Sequence, residues 1–368
     1  MYICKTDHSA MEKKITFKEV AKLAGVSTQT VSRVTNGGLN VDPVTLKRVQ
    51  EAINTLGYIP NKGAQLLVRK SAKIFGVLSL GSTFEGAASI VEGIRLESLA
   101  IGYHISIAVT EEGEEQIELA IKELQSQQVE AIFINLPLTT AIAEKIVNKH
   151  SKISFLFIDV PYETAVNQVS SDHYQGAKLV ADLVLNQGRK QIALLNGPSI
   201  SYAANCRTKA WMDAITNSEA NIVAQAEGNW SAESGYLETT KLLLKAIEFD
   251  ALLVGNDQMA LGALRACAEF KKEIPLQIVV TGFDDTTNSA YFNPPLTTVR
   301  QNFLELGRKA VQKIANQIKN DDHSISKNKI PVTLIERKST QTTAKDPKAT
   351  EKIANLLQQI NKLLPHLS

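Results

Sequence analysis

The sequence predicts an α/β protein with an N-terminal helix-turn-helix head, a two-lobed core of doubly wound parallel sheets and a C-terminal oligomerisation helix. Three observations predict this architecture. A helix-turn-helix pattern lies near the N terminus, short apolar runs alternate with helix-length segments from Ile74 onward, and a narrow apolar seam occupies the last twenty residues. A chain of 368 residues has room for two or three such domains.

The helix-turn-helix pattern is VAKLAGVSTQTVSRVT at residues 20–35. Apolar Val20, Leu23 and Ala24 recur at helical spacing, Gly25 allows a tight turn, and Ser27 can cap a second short helix. In such a unit the second helix enters the DNA major groove by its N-terminal end. The side chains there that can reach base edges are Thr28, Gln29, Thr30 and Arg33. The alternative is a helical hairpin in an ordinary core, with these polar residues facing water.

Charge and a third helix favour the DNA-binding interpretation. Residues 1–70 hold 11 Lys and Arg against 5 Asp and Glu, a net charge of +6, whereas the remaining residues hold 29 against 33, a net charge of −4. The basic excess therefore coincides with the helix-turn-helix, as expected of a phosphate-binding surface. Asp42 and Pro43 begin a third predicted helix, which Gly57 ends.

A short segment after the head suggests a hinge. Pro60 blocks continuation of the third helix, and Asn61 can cap a new helix over about 61–69 that is too short to be stable alone. Its Leu66-Leu67 pair could insert between base steps in the minor groove. The alternative is a plain linker whose leucines face the core.

The core is predicted from alternating strands and helices. Apolar runs at 74–80, 104–109, 131–135 and 155–159 are separated by helical segments 88–100, 115–127 and 141–149. After Gly176 the rhythm repeats, with strands at 191–195, 251–255 and 277–282 and helices at 177–185, 206–216, 231–247 and 258–270. Two such runs predict two α/β lobes with a ligand cleft beyond the carboxyl ends of the strands.

Polar residues follow several of these strands, where that rule places a ligand: Asn135, Asp159, Asn256, Asp257 and Asp284. Carboxylates and amides suit sugar hydroxyls, because each hydroxyl can both donate and accept. The alternative is that each residue only starts a loop or caps a helix.

Several other classes are disfavoured. No apolar run approaches eighteen residues, and the three cysteines (Cys4, Cys206 and Cys267) are scattered, which fits a reducing cytoplasm. No phosphate loop, nucleophile elbow or metal-spaced histidine set occurs, so we expect no catalytic residue, metal or cofactor. A sugar-processing enzyme and a sugar transport receptor remain rival hypotheses. Asp284 and Asp285 are adjacent and should point apart, unlike the facing carboxylates of glycosidases.

The C-terminal segment predicts an oligomerisation helix. After the polar stretch 338–348, apolar residues recur at spacings of three and four: Ile353, Leu356, Leu357, Ile360, Leu363 and Leu364. The alternative is a helix that docks on its own domain.

Residues 20–36, YIPN at 58–61 and AQLL at 64–67 resemble the head and hinge of the LacI-type bacterial repressors. INLPL (134–138), QIALLNGP (191–198), NDQMALGALRA (256–266) and NPPLTT (293–298) extend the resemblance over nearly the whole chain, most closely to members that control lactose operons. It implies a cytoplasmic, nucleoid-associated repressor with a core like that of periplasmic binding proteins. A small sugar would release this repressor from its operator, and the chain would form a homodimer or homotetramer and bind no membrane.

The resemblance implies site residues by position. The DNA-binding set is Thr16, Ser27, Thr28, Gln29, Thr30, Ser32, Arg33, Asn36, Asn61, Ala64 and Leu67. The ligand-binding set is Ile90, Asn135, Asp159, Arg207, Trp230, Asn256, Asp284, Gln301 and Leu306, with Arg207 and Asp284 as a hydroxyl clamp, Asp159 and Asn135 at the exocyclic end and Trp230 as a stacking face. The oligomerisation set is Ile353, Leu356, Leu357, Ile360 and Leu364.

The implied domains are an N-terminal extension 1–11, which we expect to be disordered, a head 12–60, a hinge helix and linker 61–72, a sugar-binding core 73–340, a linker 341–349 and a tetramerisation helix 350–368. The chain departs from the family pattern at Phe84, Gly86, Ala87, Ser171 and Ala203 in the wall beside the sugar, and at Thr28 in the reading helix. A galactoside-like sugar is therefore better supported than any named inducer, and the operator sequence should differ. The alternative is a regulator that responds to a different effector, such as another sugar, a purine or a protein partner.

Overall fold

The computed structural model describes residues 15–35, 41–59, 72–80, 84–111 and 113–341. The chain divides into two compact units between Ala72 and Lys73. The predicted DNA contacts Asn36, Asn61, Ala64 and Leu67 lie outside the described residues, as do the predicted oligomerisation residues Ile353, Leu356, Leu357, Ile360 and Leu364.

The head consists of α1 (Phe17–Ala24), α2 (Thr28–Thr35) and α3 (Pro43–Leu56) in its described part. Gly25 has φ 65° and turns the chain after α1, and the Ser27 hydroxyl accepts a hydrogen bond from the Thr30 amide at 3.1 Å. Asp42 caps α3 through the amides of Val44 and Thr45. The predicted helix-turn-helix and third helix therefore form with the predicted turn and caps.

One valine from each helix fills the head core. Val20, Val31 and Val49 are fully buried. Leu23, which the helical spacing placed with Val20 and Ala24, is 53% exposed, and Ala21 is buried instead. The inward face of an eight-residue helix holds only a few side chains, so position around the helix decides burial more than apolar character does.

In chain order, the core contains β1 (Ile74–Leu80), α4 (Glu85–Ala100), β2 (His104–Thr110), α5 (Glu114–Ser126), β3 (Ala131–Pro137), α6 (Thr140–Lys149), β4 (Ser154–Asp159), β5 (Gln168–Ser171), α7 (His173–Asn186), β6 (Gln191–Asn196), α8 (Tyr202–Thr216), β7 (Asn221–Glu227), α9 (Ala232–Leu244), β8 (Ala251–Val254), α10 (Asp257–Glu269), β9 (Val279–Thr281), β10 (Thr298–Arg300), α11 (Phe303–Asn320), β11 (Lys327–Ile330) and β12 (Thr333–Ile335).

Two parallel sheets confirm the predicted two-lobed α/β class. The first lobe has strand order β11-β5-β4-β3-β1-β2, with apolar clusters on both faces beneath α4, α5, α6 and α11. The second lobe has order β7-β6-β8-β9, covered by α7 and α8 on one face and α9 and α10 on the other. Strands β10 and β12 pair antiparallel beside the second lobe.

The repeated alternation of strands and helices suggested that each lobe is one continuous stretch of chain. In the structure, each lobe is instead built from separate stretches. The chain enters the second lobe after β5, returns to the first for α11 and β11, and passes back at β12. The alternating pattern predicted no element at β5, at β7 or between residues 283 and 341. Helix α11 was therefore missed, although its buried residues Leu306, Ala310, Val311 and Ile314 recur at helical spacing.

Helices α4 and α11 pack closely because both carry glycine at their crossing. A Cβ at Gly307 would collide with the Ile90 carbonyl oxygen, and a Cβ at Gly93 with that of Leu304. This approach matters for function because Ile90 and Leu306 lie at the same crossing.

We expect Gly307→Ala to destabilise the core. Overpacking against a backbone carbonyl costs about 3 kcal/mol, and the better helix propensity of alanine returns only about 1 kcal/mol. Urea unfolding followed by circular dichroism should therefore show a net loss of about 2 kcal/mol. The exposed Asn316→Ala on the same helix is the control and should be neutral or stabilising. Unchanged unfolding of Gly307→Ala would contradict the close crossing.

Candidate functional site

A cavity of about 170 Å³ lies between the two lobes at the carboxyl ends of their strands. The nine residues that the family resemblance predicts to bind a ligand all line this cavity: Ile90, Asn135, Asp159, Arg207, Trp230, Asn256, Asp284, Gln301 and Leu306. The first lobe contributes Asn135 from β3 and Asp159 from β4, and the second contributes Arg207 from α8. This is where a ligand is expected in open α/β sheets.

Arg207 is only 4% exposed, so its guanidinium needs partners inside the protein. It donates to the Gly255 carbonyl oxygen and, over 3.3 Å, to His173 Nδ1. Its Nη2 lies 3.8 Å from Asp284 Oδ1, and its Cζ lies 3.8 Å from the centre of the Phe283 ring. Its Nε is buried and makes no hydrogen bond within the described part of the chain.

Asp284 faces Arg207 from a loop with unusual backbone geometry. Its φ is 125°, a region that side-chain-bearing residues rarely adopt, and Gln301 Nε2 donates to its Oδ1 at 2.6 Å. Burial raises the pKa of the Asp284 carboxyl to about 6, although Arg207 and Gln301 act in the opposite direction. Strained backbone of this kind concentrates at functional sites.

A second carboxylate, Asp257, holds that loop from below. It is fully buried at the start of α10 and accepts hydrogen bonds from the Thr286 amide at 2.8 Å and the Thr298 hydroxyl at 2.5 Å. Burial raises the pKa of Asp257, and the nearby Asp284 carboxylate raises it further. Asp257 thus fixes both the 284–287 loop and β10, without lining the cavity.

The adjacent Asp284 and Asp285 have different partners. Asp285 pairs with Arg300 Nε and Arg337 Nη2, both at 2.6 Å, away from Arg207. The two carboxylates therefore do not face each other across one site, as a glycosidase mechanism requires.

Asp159 already bridges the lobes. Its Oδ2 accepts from the Ser201 hydroxyl at 2.8 Å and its Oδ1 from the Ala203 amide at 2.9 Å. Burial raises the pKa of its carboxyl. A second bridge lies at Glu85, whose Oε1 accepts from the Thr287 amide at 2.9 Å and the Thr287 hydroxyl at 2.7 Å.

Neighbouring residues fix the position of the Trp230 ring. Trp230 has φ 72°, its carbonyl accepts from Asn256 Nδ2 at 3.1 Å, and a Cβ at Gly197 would collide with the indole. Asn256 is also the cap of α10, accepting from the Met259 amide. Asn256 therefore both caps a helix and lines the cavity.

The cavity also has an apolar part of its lining, formed by Phe84, Ala87, Ile90, Ile158, Phe303 and Leu306. The five positions at which the chain departs from the family pattern, Phe84, Gly86, Ala87, Ser171 and Ala203, all lie in this cavity. The departures therefore alter the cavity itself.

Sequence reasoning missed His173, Ser201 and Phe303, which also line the cavity. Each stands at or beside a helix N terminus: His173 begins α7, Ser201 caps α8, and Phe303 begins α11. Helix starts that follow parallel strands face the cleft, so for His173 and Ser201 the available signal was a helix start directly after a strand of a parallel sheet.

The predicted DNA contacts in the head lie mainly on its surface. Thr16, Ser27, Thr28, Gln29 and Arg33 are exposed, while Thr30 and Ser32 are partly buried. Gln29 and Arg33 extend from α2, one turn apart, on the side opposite the buried Val31 and Val34. Within the described residues, no helix is long and apolar enough to cross a membrane, and no cluster of three His, Cys, Asp or Glu could hold a metal ion.

Residues 16–61 match the family described as bacterial regulatory proteins, lacI family, and residues 181–340 match the periplasmic binding protein-like domain. The lactose operon repressor of Escherichia coli K12 is 35% identical over 356 residues, which cover 95% of this chain and 99% of that protein. A crystal structure of the lac repressor dimer bound to operator and the anti-inducer ONPF matches with TM-score 0.84 at 35% identity, covering 90% of this chain and all of that one.

The transcriptional regulator CelR in complex with cellobiose matches with TM-score 0.66 at 25% identity, covering 88% of this chain and 99% of that one. The helix-turn-helix head, the two-lobed core and the full-length similarity agree with one another. The chain belongs to the LacI family of bacterial regulatory proteins and is a DNA-binding transcriptional repressor, not an enzyme.

Proposed function

We propose that this chain represses a sugar-utilisation operon, most consistent with a lactose or galactoside operon, and that a small sugar releases it from its operator. The observation that carries the proposal is the buried Arg207–Asp284 pair in the interlobe cavity beside the Trp230 face. The E. coli lactose operon repressor and the lac repressor–ONPF complex are similar over most of the chain. We place its action in the cytoplasm, on operator DNA.

The clamp has unused hydrogen-bonding capacity that suits a sugar. The Arg207 Nε proton has no acceptor among the described residues, and a buried unpaired donor costs about 1–3 kcal/mol. A ring hydroxyl between Arg207 and Asp284 would accept from the guanidinium and donate to the carboxylate. Trp230 would then stack on the apolar face of the sugar ring, with Asp159 and Asn135 at its exocyclic end.

The switch would act through the angle between the lobes. Asp159 and Glu85 of the first lobe already bond Ser201 and Thr287 of the second, so a sugar in the cavity must fit around these bridges. Only a ligand that binds one lobe angle better than another shifts the equilibrium. In a dimer this angle would set the separation of the two hinges, where we propose that Leu67 inserts into the minor groove.

The sugar class can be tested by operator release. A gel-shift titration of the full-length chain with galactosides, glucosides and ribosides should show release by galactosides. Release by another sugar alone would overturn the galactoside assignment. Release only by a purine or a protein partner would overturn the sugar assignment and leave the repressor in place.

Gln29→Ala should relax sequence preference at one base pair in each half-site of a near-palindromic operator. Loss of a bidentate base contact costs about 1–3 kcal/mol. Competition gel shifts with single-base operator variants measure the change, and the exposed Gln50→Ala on α3 is the matched control. A uniform loss across all sequences would mean that Gln29 contacts only phosphate.

Asp284→Ala should bind operator and fail to respond to the sugar. Removing the carboxylate deletes half of the clamp without touching the head. Because Arg207 would lose its buried counter-charge, Asp284→Asn is a second variant that keeps side-chain volume. Glu219→Ala, a carboxylate loss on the surface of the second lobe, should respond normally. Normal release from both Asp284 variants would refute the clamp.

Sugar affinity should fall below pH 6. With the pKa of Asp284 raised to about 6, acid converts its carboxylate to a neutral carboxyl and removes an acceptor for the sugar hydroxyl. The titratable groups facing it are the Arg207 guanidinium and the carboxyls of Glu85 and Asp257, and burial also raises the pKa of Asp257. Calorimetry should show affinity that is level above pH 7 and falls about tenfold per unit well below pH 6. A flat profile from pH 5 to 8 would contradict the role.

We propose further that residues 350–368 join two dimers into a tetramer through their apolar seam. Deletion of 349–368 should then give dimers that still bind one operator, as judged by sedimentation equilibrium and gel shift. A full-length chain that sediments as a dimer would refute this proposal.

A further inference from the structure

A second cavity, of about 400 Å³, lies where the two lobes meet, and none of its described lining residues belongs to the interlobe cavity. The first lobe contributes Leu80 and Pro137, which end β1 and β3. The second lobe contributes Ile200, from the loop between β6 and α8. The volume falls within the range of about 300–1,000 Å³ that is typical of small-molecule sites.

The wall of the second cavity is the open edge of the first lobe's apolar core. Ile117, Leu136 and Leu138 are buried members of that core and line the cavity. Leu80 and Ile142 are partly buried against the same core and complete this wall. An apolar group that enters the cavity therefore leaves water for a hydrocarbon surface, which is favourable.

Ile200 faces this wall from the other lobe. Its side chain lines the cavity although the residue is 52% exposed, so the lobes leave it only partly covered. An apolar ligand between Ile200 and the first-lobe wall would remove more of this side chain from water. Such a ligand would contact both lobes at once.

The rim of the second cavity is acidic. Glu111 and Glu114 are exposed lining residues, and no Lys or Arg is among the lining residues that the structure describes. Glu114 Oε2 accepts from Lys145 Nζ at 2.5 Å. The Glu111 carboxylate makes no ion pair or hydrogen bond with any described residue. A ligand with a cationic group would therefore find a free counter-charge beside the apolar wall.

The second cavity is connected to the sugar contacts by residues adjacent in the chain. On β3, Asn135 lines the interlobe cavity and Leu136 lines the second cavity. Before α8, Ser201 donates to Asp159 at 2.8 Å, while the preceding Ile200 lines the second cavity. A ligand in the second cavity would thus act on segments that carry sugar contacts without occupying the sugar's place.

From this arrangement we propose that the second cavity binds a small organic cation with an apolar body, which regulates the repressor. The apolar body packs between the first-lobe wall and Ile200, and the cationic group lies beside Glu111. Because the ligand contacts both lobes, it binds one lobe angle better than another, and its coupling to the sugar is reciprocal. The coupling rests on the proposed sugar-binding function, whereas binding of the cation does not.

Binding can be tested on the full-length chain by ligand-observed NMR titration with 4-phenylbutylammonium and its uncharged analogue 4-phenylbutan-1-ol. Both should bind saturably, at about 1 mM or below for molecules of this size. The cation should bind about twofold to fivefold more tightly, as expected of an exposed ion pair. Glu111→Gln should abolish this preference and change alcohol binding less than about twofold. Glu219→Gln, a carboxylate loss outside the cavity, is the control.

Ile200→Ser should weaken both compounds about threefold to tenfold, because it removes the apolar contact of the second lobe. Leu276→Ser is the matched control, since Leu276 is a 62% exposed second-lobe residue outside the cavity. Absence of saturable binding would overturn the proposal. Saturable binding that Ile200→Ser leaves unchanged would place the compounds elsewhere and overturn it as well.

Regulation can be tested by calorimetric titration of methyl β-galactoside with and without saturating 4-phenylbutylammonium. The sugar affinity should change about fivefold or more, and the affinity of the cation should change by the same factor when sugar is present. Ile200→Ser should reduce this factor. Unchanged sugar affinity would overturn the regulatory role. If methyl β-galactoside does not bind, the proposed galactoside function fails, while the NMR titration still decides the second site.

Discussion

The burial of the Arg207 guanidinium constrains the second lobe and the cavity more than any other interaction. A buried cation is tolerated only where counter-charge and acceptors surround it. Here the Gly255 carbonyl, His173, and the adjacent Phe283 ring and Asp284 carboxylate meet that demand from three different segments of chain. Each segment is held where the cation needs it, and the cavity is shaped as a result.

The Asp284 loop shows how far this constraint extends. Asp284 adopts φ 125° to face Arg207, and such backbone persists only when its surroundings over-determine it. Asp257 supplies that support by bonding Thr286 and Thr298 from beneath. The residues that hold the strained loop thus also anchor β10, the strand from which the chain returns to the first lobe.

The return of the chain to the first lobe determines how the two lobes around the cavity can move. The chain passes between lobes after β5, after β10 and after β11, and the Asp159–Ser201 and Glu85–Thr287 bonds span the same gap. Two bodies joined by short crossings can change their mutual angle while each sheet stays intact. A ligand bound by residues of both lobes would therefore bias that angle, as the proposed sugar-controlled switch requires.

The sequence by itself determined the local structures and their class. Turn and cap residues such as Gly25, Ser27 and Asp42 act on their immediate neighbours, so the head helices could be predicted from adjacent residues. The alternation of apolar runs with helical segments likewise predicted two parallel sheets, and family resemblance supplied the nine residues that the cavity brings together.

Only the tertiary structure decided what depends on distant contacts. Helix α11 belongs to the first lobe because Gly307 lets it pack on α4, some two hundred residues earlier in the chain. His173 became a cavity residue because Arg207 bonds it from another helix, and the Ser171 hydroxyl was left unpaired by the packing around it. The place of His173 in the cavity and the unpaired state of the Ser171 hydroxyl are not encoded in neighbouring residues, since each depends on which segments the fold brings within hydrogen-bonding distance.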